Sequence, residues 1–272
     1  LIRRKGSRIL CIVDASNTIY ATNASNAVLT VTRTMGAQVA VKTLIAHGVD
    51  PKLAQEAYQG IEYSDAAWFN PTLNYAYFLV VGLAVQVWQY CFMLLASMLV
   101  VGETGRRSWL QYKASGFSLT RLFASKTAAH LAVSMALILI VYWFAFSVLK
   151  YPLAGSFEKL LLLTVLFALS VHSIGSFISS LAPNALDATR ISMVIAIPSF
   201  AVTGYTWPLE AMPEFLGKLA WLLPHTWFFQ AFNYLSFRGD NWRFILPYMV
   251  VLLLTAVLFY SLTAAVIRVK EG

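Results

Sequence analysis

The chain has 272 residues, 59% of them hydrophobic, and a formal net charge of +8. A soluble domain is close to half apolar, and here the excess is gathered into uncharged runs at 71–102, 127–149, 160–186, 191–209, 219–237 and 244–267. Runs on the scale of the ~20 residues that cross a bilayer core exclude an ordinary soluble enzyme. They also make the positive charge a matter of orientation, since Lys and Arg collect in cytoplasmic loops, rather than of nucleic-acid binding.

Residues 1–70 read as a small α/β piece. Ile9-Leu10-Cys11-Ile12-Val13 has the composition of a short buried strand, closed by the turn formers Asp14, Ser16 and Asn17. From about 18 to 46 the spacing is helical, with Ala24, Val28, Val31, Met35 and Val39 on one face; Gly48 is the stop and Pro51 lies just beyond. Asn70-Pro71 ends whatever strand holds Trp68 and Phe69. The piece is short for a core of its own. The chain opens on Leu1 and basic residues rather than Met and a signal sequence, so a missing beginning is expected. Cys11 and Cys91 are expected to lie on opposite sides of the membrane, unpaired and without metal-ligand spacing.

Residues 71–272 then read as a membrane domain, with spans at about 75–101, 128–149, 159–181, 189–207 and 244–267. Between the first two lies "GETGRRSWLQYKASGFSLTRLFASK", residues 102–126, where Arg106, Arg107, Lys113, Arg121 and Lys126 face one acid, Glu103. This densest basic loop, 102–127, belongs in the cytoplasm. Its pattern predicts a short surface helix, a break at Gly116 with Ser118 as cap, and a helix running into the membrane. Such a loop either couples the membrane domain to a partner or lies on anionic lipid.

The run at 219–237 decides the topology. Pro224 in its middle removes a backbone donor, which is costly in lipid, His225 adds polarity, and its aromatics suit an interface. It is expected to dip into the outer leaflet as a helix pair, within a re-entrant segment 204–243. "GYTWPLEAMP", residues 204–213, then ends a span on the outer side: Gly204 and Pro208 terminate the helix, and Pro213 keeps it from resuming in register. The fold class is therefore an α-helical polytopic membrane protein with five spans in this chain, a partial extracytoplasmic α/β domain, an outside N-terminal domain and a cytoplasmic C-terminus. That topology requires one earlier span, six in all.

These stretches resemble a known family. "IVDASN" at 12–17, "WFNP" at 68–71 followed by Gly82, the loop 102–126, "GYTWPLEAMP" and "WLLPHTW" at 221–227 are, in order and spacing, similar to the ABC-2 type permease, the membrane subunit of type V ABC exporters, in its drug-exporter-like branch with an extracytoplasmic domain. Two departures stand out: Glu103 is alone where the family usually has two acids, and Ser125-Lys126 replaces Gly-Lys. The resemblance implies export of an apolar or amphiphilic substrate across the inner membrane of a bacterium, through a path between two permease subunits. A separate cytoplasmic subunit would hydrolyse ATP, and a periplasmic adaptor is a further partner to expect. It assigns coupling to Glu103, Gly105, Arg106, Arg107, Trp109, Tyr112, Gly116, Arg121 and Lys126. It assigns an outer gate to Gly204, Trp207, Pro208, Glu210, Met212, Pro213 and Pro224.

The residues themselves offer little reaction chemistry. His47, His130, His172 and His225 are scattered, and there is no His-Glu-x-x-His, no Gly-x-Ser-x-Gly and no Gly-rich phosphate loop. No catalytic residue, cofactor or metal is expected, and no ATP site in this chain. Gln86, Gln89, His130 and His172 are polar residues inside spans, which either point to a substrate path or bond neighbouring helices; Gln86 and Gln89 are one turn apart on one face. His172, Ser173, Gly175, Ser176, Ser179 and Ser180 form a small polar face suited to close helix packing. Two other classes stay open: a scaffold or sensor without an ATPase partner, and a membrane-embedded enzyme, which would need clustered ionisable groups.

Overall fold

A computed structural model describes residues 9–14, 18–56, 63–68, 75–106, 108–239 and 241–271. "IVDASN" and "WFNP" lie partly outside these residues. The chain divides into two compact units, Leu1–Phe78 and Leu79–Gly272.

The first unit holds strand β1 (Ile9–Asp14), helices α1 (Thr18–Ala46) and α2 (Pro51–Glu56), and strand β2 (Tyr63–Trp68). β1 and β2 pair in parallel, from Ile9 opposite Tyr63 to Asp14 opposite Trp68; parallel strands need a long crossover, which the two helices supply. Gly48 stops α1 with a φ of +82°, and Pro51 opens α2, where its missing N–H has no role to play. Two expectations fail here. β1 is half-buried rather than buried: Cys11 and Val13 turn inward, Leu10 and Ile12 outward, as a strand must when only one face is covered. On α1, Val31 and Met35 are exposed, whereas Ala21, Thr32 and Gly36 are buried. The helix is rich in small and apolar residues all round, so no single stripe marks its inner face.

The second unit is α-helical and polytopic, with five helices long and apolar enough to cross a membrane: Leu79–Ser97, Leu119–Val148, Phe157–Leu181, Ala185–Val202 and Trp242–Val269. In chain order its elements are α3 (Tyr75–Ser97), α4 (Val101–Arg106), α5 (Ser108–Ala114), α6 (Leu119–Trp143) extended by a π turn (Phe144–Val148), α7 (Phe157–Leu181), α8 (Ala185–Val202), a 3-10 turn (Leu209–Ala211), α9 (Glu214–Ala220), α10 (Pro224–Phe237) and α11 (Trp242–Glu271).

α7 is the centre, and its most extensive packing is against α11. Its face of small residues is buried from His172 to Ser180. A Cβ on Gly175 would stand 2.9 Å from the Met93 carbonyl and 2.8 Å from Ala96 Cβ, so only glycine lets α3 come this close. An aromatic stack fills the other half of the core: Phe167 lies on Phe228 at 4.2 Å, and Phe228 on Phe232 at 5.8 Å.

The helix ends differ from the sequence reading where charge was taken as the limit. The span expected from 128 is the apolar part of α6, which starts at Leu119 behind the expected Ser118 cap and carries Arg121 and Lys126 in its first turns. α8 runs from Ala185 to Val202 rather than 189–207; Asn184 caps it by accepting from the Asp187 N–H at 2.9 Å. Pro224 opens α10, so the run 219–237 is divided between α9 and α10, and Pro213 precedes α9, a new short helix, as its cap. At ~1.5 Å per residue, the 14 residues of α10 are too short to span.

Candidate functional site

The long helices leave charge and polarity at two opposite ends of the second unit, with a polar interior between them.

At the basic end the first span stops at Ser97. Ser179 of α7 then accepts from the N–H groups of Val100 and Val101, at 2.9 and 3.0 Å, which satisfies donors at the start of α4 that the helix itself cannot. Glu103 on α4 pairs with Lys126 on α6, and the Ser108 hydroxyl donates to the same carboxylate. Both pair members are partly exposed, with side chains 15% and 31% exposed. Beneath them Leu99, Val100, Leu119, Phe123 and Ile267 form one cluster, with Trp109 packed on it. The turn to α6 uses Gly116 at φ +76°, and Ser118 accepts from the Arg121 N–H at 3.5 Å.

Of the nine coupling candidates, the structure thus brings Glu103 and Lys126 together, anchors α5 through Trp109, and places Gly116 at the bend. Trp109, Leu119 and Phe123 share the inner cluster, while Tyr112 and Gly116 face away, because the bend at Gly116 interrupts the helical spacing. Gly105 and Arg106 close α4; the Arg106 side chain and all of Arg107 lie outside the described residues. Leu110, Tyr112 and Phe117 stand exposed, Phe117 at 60%.

At the other end, Gly204 follows α8 with φ +79°, and a Cβ there would lie 2.6 Å from Leu209 and 2.7 Å from Gln230. Gln230 donates to the Thr203 carbonyl at 3.2 Å. Pro208 is buried, Met212 half-buried, and Trp207, Glu210 and Pro213 are exposed. Tyr205 is buried between Phe200 and Phe229, and its ring covers Gly82 of α3; burial pushes its phenol, and that of neighbouring Tyr151, above the usual range. The loop before α7 docks on the end of α10, with Ala154 N–H donating to Ser236 O at 3.0 Å and Gly155 N–H to Leu235 O at 2.8 Å. The aromatics of α10 are mostly core: Phe228, Phe229 and Phe232 are fully buried, contrary to the expectation of an interfacial set.

In the interior, Gln86 donates to the Ala196 carbonyl of α8 at 2.7 Å. Gln89 accepts from His225 Nε2 of α10 at 2.8 Å. Both glutamines are buried in these interhelical contacts. Burial holds the His225 imidazole down to about 3, hence neutral. Gln86 Oε1, Gln89 Nε2 and His225 Nδ1 are buried without a hydrogen-bond partner among the described residues.

Comparison with known proteins now decides the family. Residues 5–265 match the ABC-2 family transporter proteins. The chain belongs to that family. Among its relatives, the probable multidrug ABC transporter permease YbhR of Escherichia coli K12 is 26% identical over 199 residues, covering 72% of this chain and 54% of the relative. YbhS of the same organism, also a probable multidrug ABC transporter permease, is 23% identical over 204 residues, covering 75% and 54%. ABC transporter G family member 20 of Dictyostelium discoideum is 25% identical over 177 residues, covering 60% and 24%. The chain spans about half the length of the two bacterial relatives. No solved structure matches it.

The membrane unit also holds a polar group whose mutual contacts the sequence did not reveal. His130 on α6 and His172 on α7, 42 residues apart, are hydrogen-bonded at 3.2 Å. Tyr260 on α11 bonds His172 at 3.0 Å. Only the folded helices bring them together. Their location inside the apolar runs was the one available signal.

Proposed function

We propose that this chain is the permease subunit of an ATP-driven exporter in the inner membrane of a bacterium. Two permease subunits enclose a path along which apolar or amphiphilic cargo moves outward. A separate cytoplasmic ATP-binding subunit supplies the energy. The basic end faces the cytoplasm, in keeping with its excess of Lys and Arg, and the N-terminal unit and the Gly204–Pro213 turn face outward.

The observation that carries this reading is the segment 101–118. It is tied to three helices at once, by Ser179 of α7, by Lys126 of α6 and by the cluster containing Ile267 of α11. It still presents Leu110, Tyr112 and Phe117 to the outside. A segment gripped by the bundle on one side and apolar on the other is built to be pushed by a docked partner. At the far end, Gly204, Leu209 and Gln230 fit without spare room, so a tilt of α8 is transmitted to the outer turn. Opening the bundle would expose the unpartnered atoms of Gln86, Gln89 and His225 to cargo.

The test is purification of the full-length protein from its native membrane in mild detergent, assayed for co-purifying ATPase. A stoichiometric ATP-binding subunit is expected. It should be lost, with membrane insertion retained, when Arg106 and Arg107 are both changed to Glu, or Phe117 to Asp. A clean preparation without ATPase, or variants that keep both ATPase and transport, would overturn the reading.

A further inference from the structure

The three helices that grip segment 101–118 are also joined inside the membrane by His130, His172 and Tyr260. From the geometry of this chain we infer that these residues form a proton-binding relay, a site that takes up one proton and passes its effect from α6 through α7 to α11. The inference does not depend on an ATP-binding partner.

The chain of contacts has a buried centre and two half-buried ends. His172 is fully buried, whereas His130 and Tyr260 are half-buried. The other groups around them are few. Ser176 lies 3.2 Å from His172 Nδ1, but its hydroxyl donates to the His172 carbonyl at 2.7 Å. Phe92 of α3 packs against the His172 ring at 5.1 Å. Lys126, one turn before His130, is paired with Glu103.

The hydrogen-bond arithmetic makes the chain directional. A neutral imidazole has one donor and one acceptor nitrogen. In one neutral arrangement the Tyr260 O–H donates to His172 Nδ1, His172 Nε2–H donates to His130 Nδ1, and His130 Nε2 carries the outer hydrogen. If one proton is added, His130 becomes an imidazolium with both nitrogens donating. It then cannot accept from His172, so His172 must switch tautomer: Nε2 accepts from His130, and Nδ1–H now donates to the Tyr260 oxygen. One proton thus reverses both hydrogen bonds. A proton arriving at Tyr260 and one leaving His130 Nε2 balance, with each intermediate N–H handed on once. Because α11 carries Ile267 and α6 carries Leu119 and Phe123, the reversal is felt by the helices beneath the docking segment.

The experiment is ¹⁵N NMR of the full-length, histidine-labelled protein in lipid nanodiscs, titrated through the range in which histidines change charge, about pH 5 to 8. His47 and His225 are assigned by single substitution. The expected result is one shared step for His130 and His172, with His172 exchanging its protonated nitrogen. In Tyr260→Phe, which keeps the ring and removes the acceptor, the step should move to lower pH by about one unit. In Tyr142→Phe, whose hydroxyl bonds Thr164 instead, it should stay. The inference is overturned if His172 keeps one tautomer throughout, if the two histidines titrate independently, or if Tyr260→Phe leaves the step in place.

Discussion

The two ends of the membrane unit are held by different physics. The basic end is joined by a charge pair, a hydroxyl cap and a small apolar cluster, and it leaves apolar side chains exposed. The opposite end is joined by shape: glycines that admit no Cβ, stacked aromatic rings, and backbone bonds from one loop to the last turn of α10. Partly exposed charge interactions are weak and can be remade in several geometries. Close packing is strong and tolerates few alternatives. The contrast suits an input end that yields and an output end that moves as a piece.

The largest effect is expected where shape is tightest. A Cβ on Gly82 would lie 2.3 Å from Tyr205 Cε1, and the Tyr205 ring is itself held by Phe200 and Phe229 at 5.6 and 5.0 Å. Gly82→Ala should destabilise the purified protein by about 3 kcal/mol, the upper range for overpacking, read as a lowered thermal unfolding midpoint in detergent. Combined with Tyr205→Leu the cost should be much less than additive, since the two residues share one space. Additive costs would mean that the outer end is looser than its packing implies.

Over the first two pH units below about 6.5 a smaller effect comes from His225, which joins α10 to Gln89 of α3. Its folded value is about 3, against an ordinary 6.5. Below about pH 6.5 the unfolded chain therefore binds a proton that the folded one refuses. Stability is fully present above that pH and falls as pH drops, by at most about 1.4 kcal/mol per unit, until the folded value is reached. His225→Gln should flatten this acid limb in thermal unfolding. The same slope in wild type and variant would assign it to other groups.

The sequence made the bundle readable because each span is an uncharged run of the right length, and Gly116, Ser118 and Gly204 stand where glycine and serine have a backbone task. It misled where a single signal served two purposes. Charge at Arg121 and Lys126 was taken as the edge of the span, although one continuous helix runs from the Ser118 cap through both residues into the apolar part. Aromatics at 227–232 read as interface, yet Phe228, Phe229 and Phe232 fill the core, since a short helix wedged among others has no lipid-facing side at those positions. The His130–His172–Tyr260 group was unreadable for another reason: each member comes from a different helix, and only packing sets their distance. The Glu103–Lys126 pair was foreseen as two members of one loop, but not as one contact.

That contact offers the smallest change in stability and the sharpest test of the contrast. Glu103→Gln removes a pair that is partly exposed, so the expected cost is at most about 1 kcal/mol, barely visible in unfolding. Its effect on transport, measured in inverted vesicles together with the ATP-binding subunit, should be far larger, because segment 101–118 loses its tie to α6. Lys126→Glu should act alike, and exchanging the two charges in the double variant should restore transport while stability stays level. A weak interaction with a large functional effect is what a movable joint requires. If Glu103→Gln transports normally, the joint lies elsewhere, and the packing of Trp109 on the Leu99–Phe123 cluster becomes the connection to break next.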